Sequence, residues 1–507
     1  MAHRPPLERQ NRDRDRDHDP DPNLNRQRRA DPPNAGRRLP DDTRIVFLSD
    51  CHIGGDRGRD IFESPAELTA LLEELAALPG PVELVLAGDF FDFLEIGEVT
   101  AGEDRAAATV SRPEYQAVFG ALRCFAAGTG RRVVYLLGNH DAEVWWNPAI
   151  RETLRREGLV HEFACSFAAC FASRPDRIVY CEHGNQFDPA NTITDYDDPL
   201  DTPFGHHIVT DVMRGIVPAG GARGDQGVHD INKVFPLVAI PEWLAGRLFY
   251  DLLTQIGRFL ILPLLLAYAA FRVVAYLVAA SGEDPLSFWQ STRSLPGTQR
   301  LFIEIGYNGA LLLLGFGIFF FVIRRVTNRA VASTAARLPG LAQTEASAAR
   351  IGELLGSDRP TPMGGGLTGR EIAVFVSGHT HAPSLAHIGR DGAEPAVAVN
   401  SGCWLRQLRP VPAHFATPPV FVSSFVLTHA RVSLAESGIR VELWEHPRPA
   451  RRRLRLAERL ATLGRLPPQP PMGAGPRPIA SITLAHPESV VRPISFVADR
   501  PAAAPPG

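Results

Sequence analysis

Apolar residues gather first into short runs closed by glycine or charge. Ile45-Val46-Phe47-Leu48 is an unbroken apolar run, and residues 82–87 and 133–137 are dominated by aliphatic side chains. Such runs predict strands buried on both faces. Between them, residues 65–78, with Ser64 in the N-cap position, and a segment near 113–127 read as helices. The resulting β-α-β-α-β order predicts a sheet with helical crossovers. Residues 161–172 and 177–182 read as a hairpin turning at Ser173-Arg174-Pro175-Asp176. Far downstream, 372–377, 396–399, 420–428 and the pair 430–435 and 438–444 form a second set of strands.

A different pattern separates the two sets. Residues 259–280 are apolar apart from Arg272, and 305–323 contain no charged side chain. At 1.5 Å per residue each is long enough for a hydrocarbon core of about 30 Å. A polar loop, 281–300, lies between them. The simplest reading is a two-span helical hairpin; Pro263 and Arg272 interrupt the first span and leave open an apolar dimerisation or core insert. Arg258 precedes the first span and Arg324, Arg325 and Arg329 follow the second, while the loop balances Arg293 and Arg300 with Glu283 and Asp284. The positive-inside rule then places the flanking domain in the cytoplasm, at a bacterial inner or plasma membrane.

The ends differ again. Residues 1–43 are charged and rich in proline, without an apolar h-region, and are expected to be disordered. The divisions that follow are 44–215, an insert over 216–370, 371–446 and a tail over 447–507. Within the tail, 450–464 alternates arginine with leucine, as in a basic amphipathic helix on a membrane or a solvated terminal helix, and 465–507 reads as disordered. The chain of 507 residues exceeds one ordinary compact domain, and its net charge of −3 provides no basic field for nucleic acid. Lys233 is the only lysine. The six cysteines form no CxxC, which favours a reducing compartment, and Cys51 reads as a small buried residue.

Candidate chemistry lies just beyond five of the strand-like runs: Asp50-Cys51-His52, Gly88-Asp89, Gly138-Asn139-His140-Asp141, Glu182-His183-Gly184 and Gly378-His379-Thr380-His381. Two divalent cations a few ångströms apart need a bridging carboxylate, with imidazoles and oxygens completing each shell. Asp89 is the bridging candidate, and Gly88 lets the chain turn behind it. Asp50 and His52, two residues apart at a strand end, share a face, and His379 and His381 repeat the spacing. Asp92 could support the ligands or the fold. Asn185, Gln186, Asp188, Asn191, His206 and His207 are candidates for a pocket wall or a plain loop. The turn Asn400-Ser401-Gly402-Cys403-Trp404 could shape the site, and Trp145 and Trp146 read as core, with a pocket cover or lipid contact as the other readings.

Taken together, the five segments resemble the calcineurin-like metallophosphoesterase superfamily over about 45–210 and 371–446. The resemblance implies an α/β fold, a β-sandwich flanked by helices with metals at the strand C-terminal ends, here interrupted by the helical hairpin. It implies two divalent cations, manganese expected and iron, zinc or cobalt compatible, with a metal-bridging hydroxide as nucleophile. The first metal would be held by Asp50, His52, Asp89 and His381, the second by Asp89, Asn139, His183 and His379. His140 would act beside the scissile phosphate, with Asp141 orienting it. The spacing is similar to the UDP-2,3-diacylglucosamine pyrophosphatase branch, which acts on a lipid at the membrane. That branch usually has arginine where His140 stands and lacks the insert. The expected activity is therefore membrane-anchored hydrolysis of a lipid- or nucleotide-linked phosphoester or pyrophosphate, with the bilayer and the substrate as partners. The alternatives are a tethered hydrolase of soluble phosphate compounds and a non-catalytic scaffold.

Overall fold

The computed structural model describes residues 37–56, 59–97, 104–213, 228–256, 258–259, 262–279, 295–335, 343–363, 366–415 and 417–485. The charged segment before residue 37, the loop carrying Glu283, Asp284 and Arg293, and the tail beyond 485 lie outside these residues. The strands are β1 (Arg37–Leu39), β2 (Arg44–Leu48), β3 (Val82–Ala87), β4 (Arg131–Leu136), β5 (Glu162–Ala164), β6 (Phe167–Phe171), β7 (Arg174–Cys181), β8 (Ile372–Ser377), β9 (Ser384–Ile388), β10 (Ala396–Asn400), β11 (Trp404–Val411), β12 (Val420–Ala435), β13 (Gly438–Glu445) and β14 (Arg477–Ala485). One sheet runs β1-β6-β7-β8-β10-β9, and the other runs β14-β13-β12-β2-β3-β4-β5, with β11 paired to β12. The principal helices are α1 (Pro65–Ala77), α2 (Gln116–Ala126), α3 (Ile240–Ile256), α4 (Leu262–Ala279), α5 (Gly297–Ala335), α6 (Gln343–Leu355) and α7 (Leu456–Thr462).

Strand alternation divides β2 between two cores. Ile45 and Phe47 face inward between the sheets, against Val85, Val134, Val179 and Val376. Val46 and Leu48 face the other way, under Leu71 and Leu75 of α1 and Phe119 and Leu122 of α2. On the far side, Tyr180 and Phe375 are covered by Ile351 and Leu355 of α6. The layers are therefore helix, sheet, sheet, helix, the mixed α/β arrangement the resemblance implied. Each fully buried Val, Leu or Phe contributes about 1.5–3 kcal/mol, so this double core anchors the loops at the strand ends firmly. β2, β3 and β4 are mutually parallel, as are β7 and β8, so their C-terminal ends gather at one edge.

The pairing of β7 with β8 joins the two sides of the insert: Val179 is registered with Val374 and Cys181 with Val376. Other expectations need correction. Arg37–Leu39, inside the segment expected to be disordered, pairs with β6, and Arg37 binds Glu83 at 3.1 Å. Ser64 makes no cap bond to α1; its hydroxyl instead accepts from Arg448 Nη1 at 3.2 Å. The expected strand 161–172 divides, because β5 pairs with β4 in one sheet while β6 pairs with β7 in the other. The runs 420–428 and 430–435 form one strand, β12, and β14 occupies part of the tail expected to be disordered. The basic segment 450–464 is helical only over Leu456–Thr462.

The insert also differs from expectation. Its first described α-helix is α3, which packs Trp243 against Leu408 and Phe421, and Phe249 and Tyr250 against Val420 and Val422. Among the described residues one helical stretch, Phe302–Val326, is long and apolar enough to cross a membrane, and its most apolar window is not buried. The expected span 259–280 corresponds to α4, whose apolar stretch is the shorter Leu262–Phe271. Tyr268 of α4 accepts from Asn308 Nδ2 of α5 at 2.6 Å, which ties the two helices together.

Candidate metal centre

Five of the predicted segments meet at the common edge of the sheets. Asp50 Oδ1 lies 3.1 Å from His381 Nε2, and His52 Nε2 lies 3.1 Å from the same nitrogen. Asp89 Oδ2 is 3.2 Å from His183 Nε2 and 3.8 Å from His52 Nε2, so this carboxylate stands between two clusters. His379 Nδ1 is 3.1 Å from Asn139 Oδ1. Three groups of potential ligand atoms lie within 4.8 Å of one another: Asp50, His52 and His381; Asp89, His183 and His379; and His52, Asp92 and His140.

The backbone is bent to bring these atoms together. Asp50, His52, Asp89, His379 and His381 all have φ between 50° and 65°, the left-handed region that L-residues avoid. Each costs about 1–3 kcal/mol, a strain that the surrounding sheets sustain. Glycines make the crowding possible. A Cβ on Gly138 would lie 2.0 Å from Asp89 Oδ1, and one on Gly378 would lie 2.3 Å from Asp50 Oδ2. Gly138→Ala should therefore displace Asp89 and lower the metal content of the purified protein, read by elemental analysis; unchanged content would refute this account of the glycine.

The donor set fits divalent cations. His183 Nδ1 donates to the Ala87 carbonyl at 2.9 Å, which leaves its buried Nε2 without a hydrogen-bond partner and turned toward Asp89. Burial pulls the His183 imidazole down, but Asp89 outweighs it and pushes it up to about 9. Burial likewise raises Asp89 and Asp50, yet the neighbouring imidazoles hold both below the usual carboxylate range. Carboxylates that stay ionised make a field that attracts positive charge, and a bound cation would take the place of the proton that such imidazoles hold.

His140 is held by Asp92. Its Nδ1 lies 2.9 Å from Asp92 Oδ1, while the other oxygen of Asp92 is 3.2 Å from His52 Nδ1. Burial pulls His140 down, and Asp92 and Asp89 together push it up to about 10. The expectation that Asp141 orients His140 is contradicted. Asp141 turns into the core, where it accepts from the Tyr135 hydroxyl at 2.6 Å, Gly138 N at 2.7 Å and Phe90 N at 3.0 Å. It braces the turn that presents Asn139 and His140. Cys51 is fully buried in the core beneath α1, as its alternation predicts.

The secondary candidates separate. Asp188 Oδ2 contacts His379 Nε2 at 3.0 Å, fixing the ring from the side opposite Asn139. Asp188 and Asn191 line a cavity beside His379 and His381, whereas Asn185 and Gln186 bond to the carbonyls of Asn191 and Ile193 and hold the loop. Asn400 Nδ2 donates to the Gly378 carbonyl at 2.6 Å and supports the His379 turn. A second cavity is lined by Arg105, His140, Trp146, Tyr196 and His206. Trp145 packs on the core, whereas Trp146 is 37% exposed, so the pair divides between core and pocket. His207 turns away to Asp211.

Sequence reasoning missed the far wall of the first cavity, made by Asn232, Lys233, Val234 and Phe235 of the insert with Arg406 of β11. Lys233 Nζ lies 2.5 Å from Glu63, and Arg406 reaches Glu63 at 3.0 Å and Asp230 at 3.2 Å. These cations are neutralised within the wall, so their first role is to fasten the insert to the site. Neither residue lies in a motif; only the solitary lysine was a signal.

This fold and cluster define a metal-dependent phosphoric ester hydrolase. Residues 43–236 match the calcineurin-like phosphoesterase family model, which supports the metallophosphoesterase superfamily. The match covers the segments from Asp50 to His183, while His379 and His381 come from beyond it. No curated protein matches the chain.

Proposed function

We propose that the chain is a membrane-anchored phosphoesterase that cleaves a lipid-linked phosphoester or pyrophosphate using two divalent cations, manganese foremost. Asp50, His52, Asp89 and His381 would hold one cation, and Asp89, Asn139, His183 and His379 the other. Such cations, when bound, neutralise phosphoryl oxygens and make hydroxide available near neutral pH. His140, with Nδ1 engaged by Asp92, presents its other ring nitrogen to protonate the leaving oxygen. The Asp92–His140 pair favours an enzyme over a scaffold, because binding alone needs no poised acid.

The observation that carries the lipid reading is the cavity wall: the insert residues Asn232–Phe235 that line it lead directly into α3 and onward to the apolar helices. Adjacent β7 and β8 require an even number of crossings. If the 25-residue stretch of α5 spans about 37 Å, the 18 residues of α4, about 27 Å, make the return arm. Arg324, Arg325 and Arg329 after that stretch support a catalytic domain on the cytoplasmic side of a bacterial inner or plasma membrane. The polar lining of the cavity, Asn191, Thr380 and Gln407 among it, favours the second reading, a tethered hydrolase of soluble phosphate compounds.

Incubating the detergent-solubilised chain and its Asp89→Ala variant with a total membrane lipid extract and Mn²⁺ separates the two. Loss of a phosphorus-containing lipid only with the wild type, by mass spectrometry, is expected. Activity on a generic diester without any lipid change would favour soluble substrates. Release of the chain from membranes by alkaline carbonate would sink the anchored reading.

A further inference from the structure

The crossing helix sets the level of a second surface. Phe249 of α3 and Phe320 of α5 meet edge to face with centroids 5.3 Å apart. Leu253 of α3 and Ala457 and Ala461 of α7 join the same apolar cluster. Phe320 lies toward the end of the Phe302–Val326 stretch, one turn and about 6 Å before Arg324. In a helix that crosses, that arginine marks the headgroup layer. The contacts of Phe320 therefore place the end of α3, and α7 beside it, level with the headgroups.

The outer faces of both helices suit that position. Leu244, Leu248 and Leu252 of α3, spaced four apart, are 38%, 68% and 40% exposed. Leu456, Leu460 and Leu463, at and just beyond α7, are 74%, 60% and 51% exposed. Arg451, Arg459 and Arg465 are exposed around them, and Arg455 is paired with Asp251, which fastens α7 to α3. Leucines spaced along a helix face, rimmed by arginine and continuous with an apolar hairpin, match an interfacial element more closely than a solvated one. We propose that the α3–α7 face rests on the headgroups of an anionic phospholipid bilayer, with its leucines inserted shallowly and its arginines on the lipid phosphates. This rests on the crossing assigned to α5 above.

The test uses the full chain in nanodiscs of zwitterionic lipid, with or without anionic lipid, containing lipid brominated near the glycerol end of the acyl chain. Leu248→Trp and Leu460→Trp are made separately. Each added tryptophan should be quenched roughly twofold beyond the wild-type background, as for a ring about 5–10 Å below the surface. Arg451→Glu combined with Arg459→Glu should remove the part of this quenching that depends on anionic lipid. Incorporated protein without added quenching would overturn the proposal and leave the crossing helix intact. Chain that stays soluble and does not enter the discs would overturn the crossing itself. Emission that shifts with protein concentration in detergent, without quenching by lipid, would assign the face to a second copy and likewise overturn the proposal.

Discussion

Alanine in place of Asp89 is expected to lower kcat on a phosphodiester by roughly a thousandfold, about 4 kcal/mol of transition-state stabilisation. The size follows from position. One oxygen of Asp89 lies 3.2 Å from His183 and 3.8 Å from His52, and the other accepts from the His140 amide at 2.8 Å. No other described carboxylate is this close to both His52 and His183. Its loss should empty both cation positions together, so bound metal per chain should fall toward zero. Asp89→Asn keeps the shape, discards the charge, and should behave similarly. A variant that retains both wild-type activity and two metals per chain would remove Asp89 from the bridging role.

Asp92→Asn should be the second most damaging change, lowering kcat by roughly a hundredfold. A single carboxylate there holds both His52 and His140. The pH profile distinguishes this role from a structural one. Asp92 and Asp89 overcome burial to push His140 up to about 10, so its protonated form persists well into the alkaline range. Removing the Asp92 charge lowers that value, and the alkaline limb of kcat/KM should move to lower pH. Asp141→Asn should leave the limb in place and cost stability instead, because Asp141 bonds Tyr135 and two backbone amides. If the limb moved with Asp141→Asn and stayed with Asp92→Asn, the assignment would be reversed.

The strands that build the site were legible because they are buried on both faces. β2, β3 and β8 carry runs of aliphatic residues that leave little alternative. Edge strands lack that signal: β9 and β14 are largely exposed, and β1 has three residues. β12 was divided in the sequence by His429, whose burial depends on an arginine two residues away, Arg431, itself tied to Glu74. Among the site residues, the family resemblance suggested Asp141 as the partner of His140. The turn instead sends that side chain inward and leaves the contact to Asp92, three residues past Asp89. Conformation at a turn is set by tertiary packing, which spacing does not encode.

The neighbouring positions of β7 and β8 also impose an order on synthesis. Cys181 has left the ribosome long before Val376 is made, and at about 5–20 residues per second the interval is roughly ten to forty seconds. Throughout it His379 and His381 do not yet exist, so the nascent chain carries an incomplete ligand set. The apolar helices emerge within that window, ahead of the residues that complete the centre. Binding by the full ligand set thus becomes possible only once the residues beyond the insert have been translated.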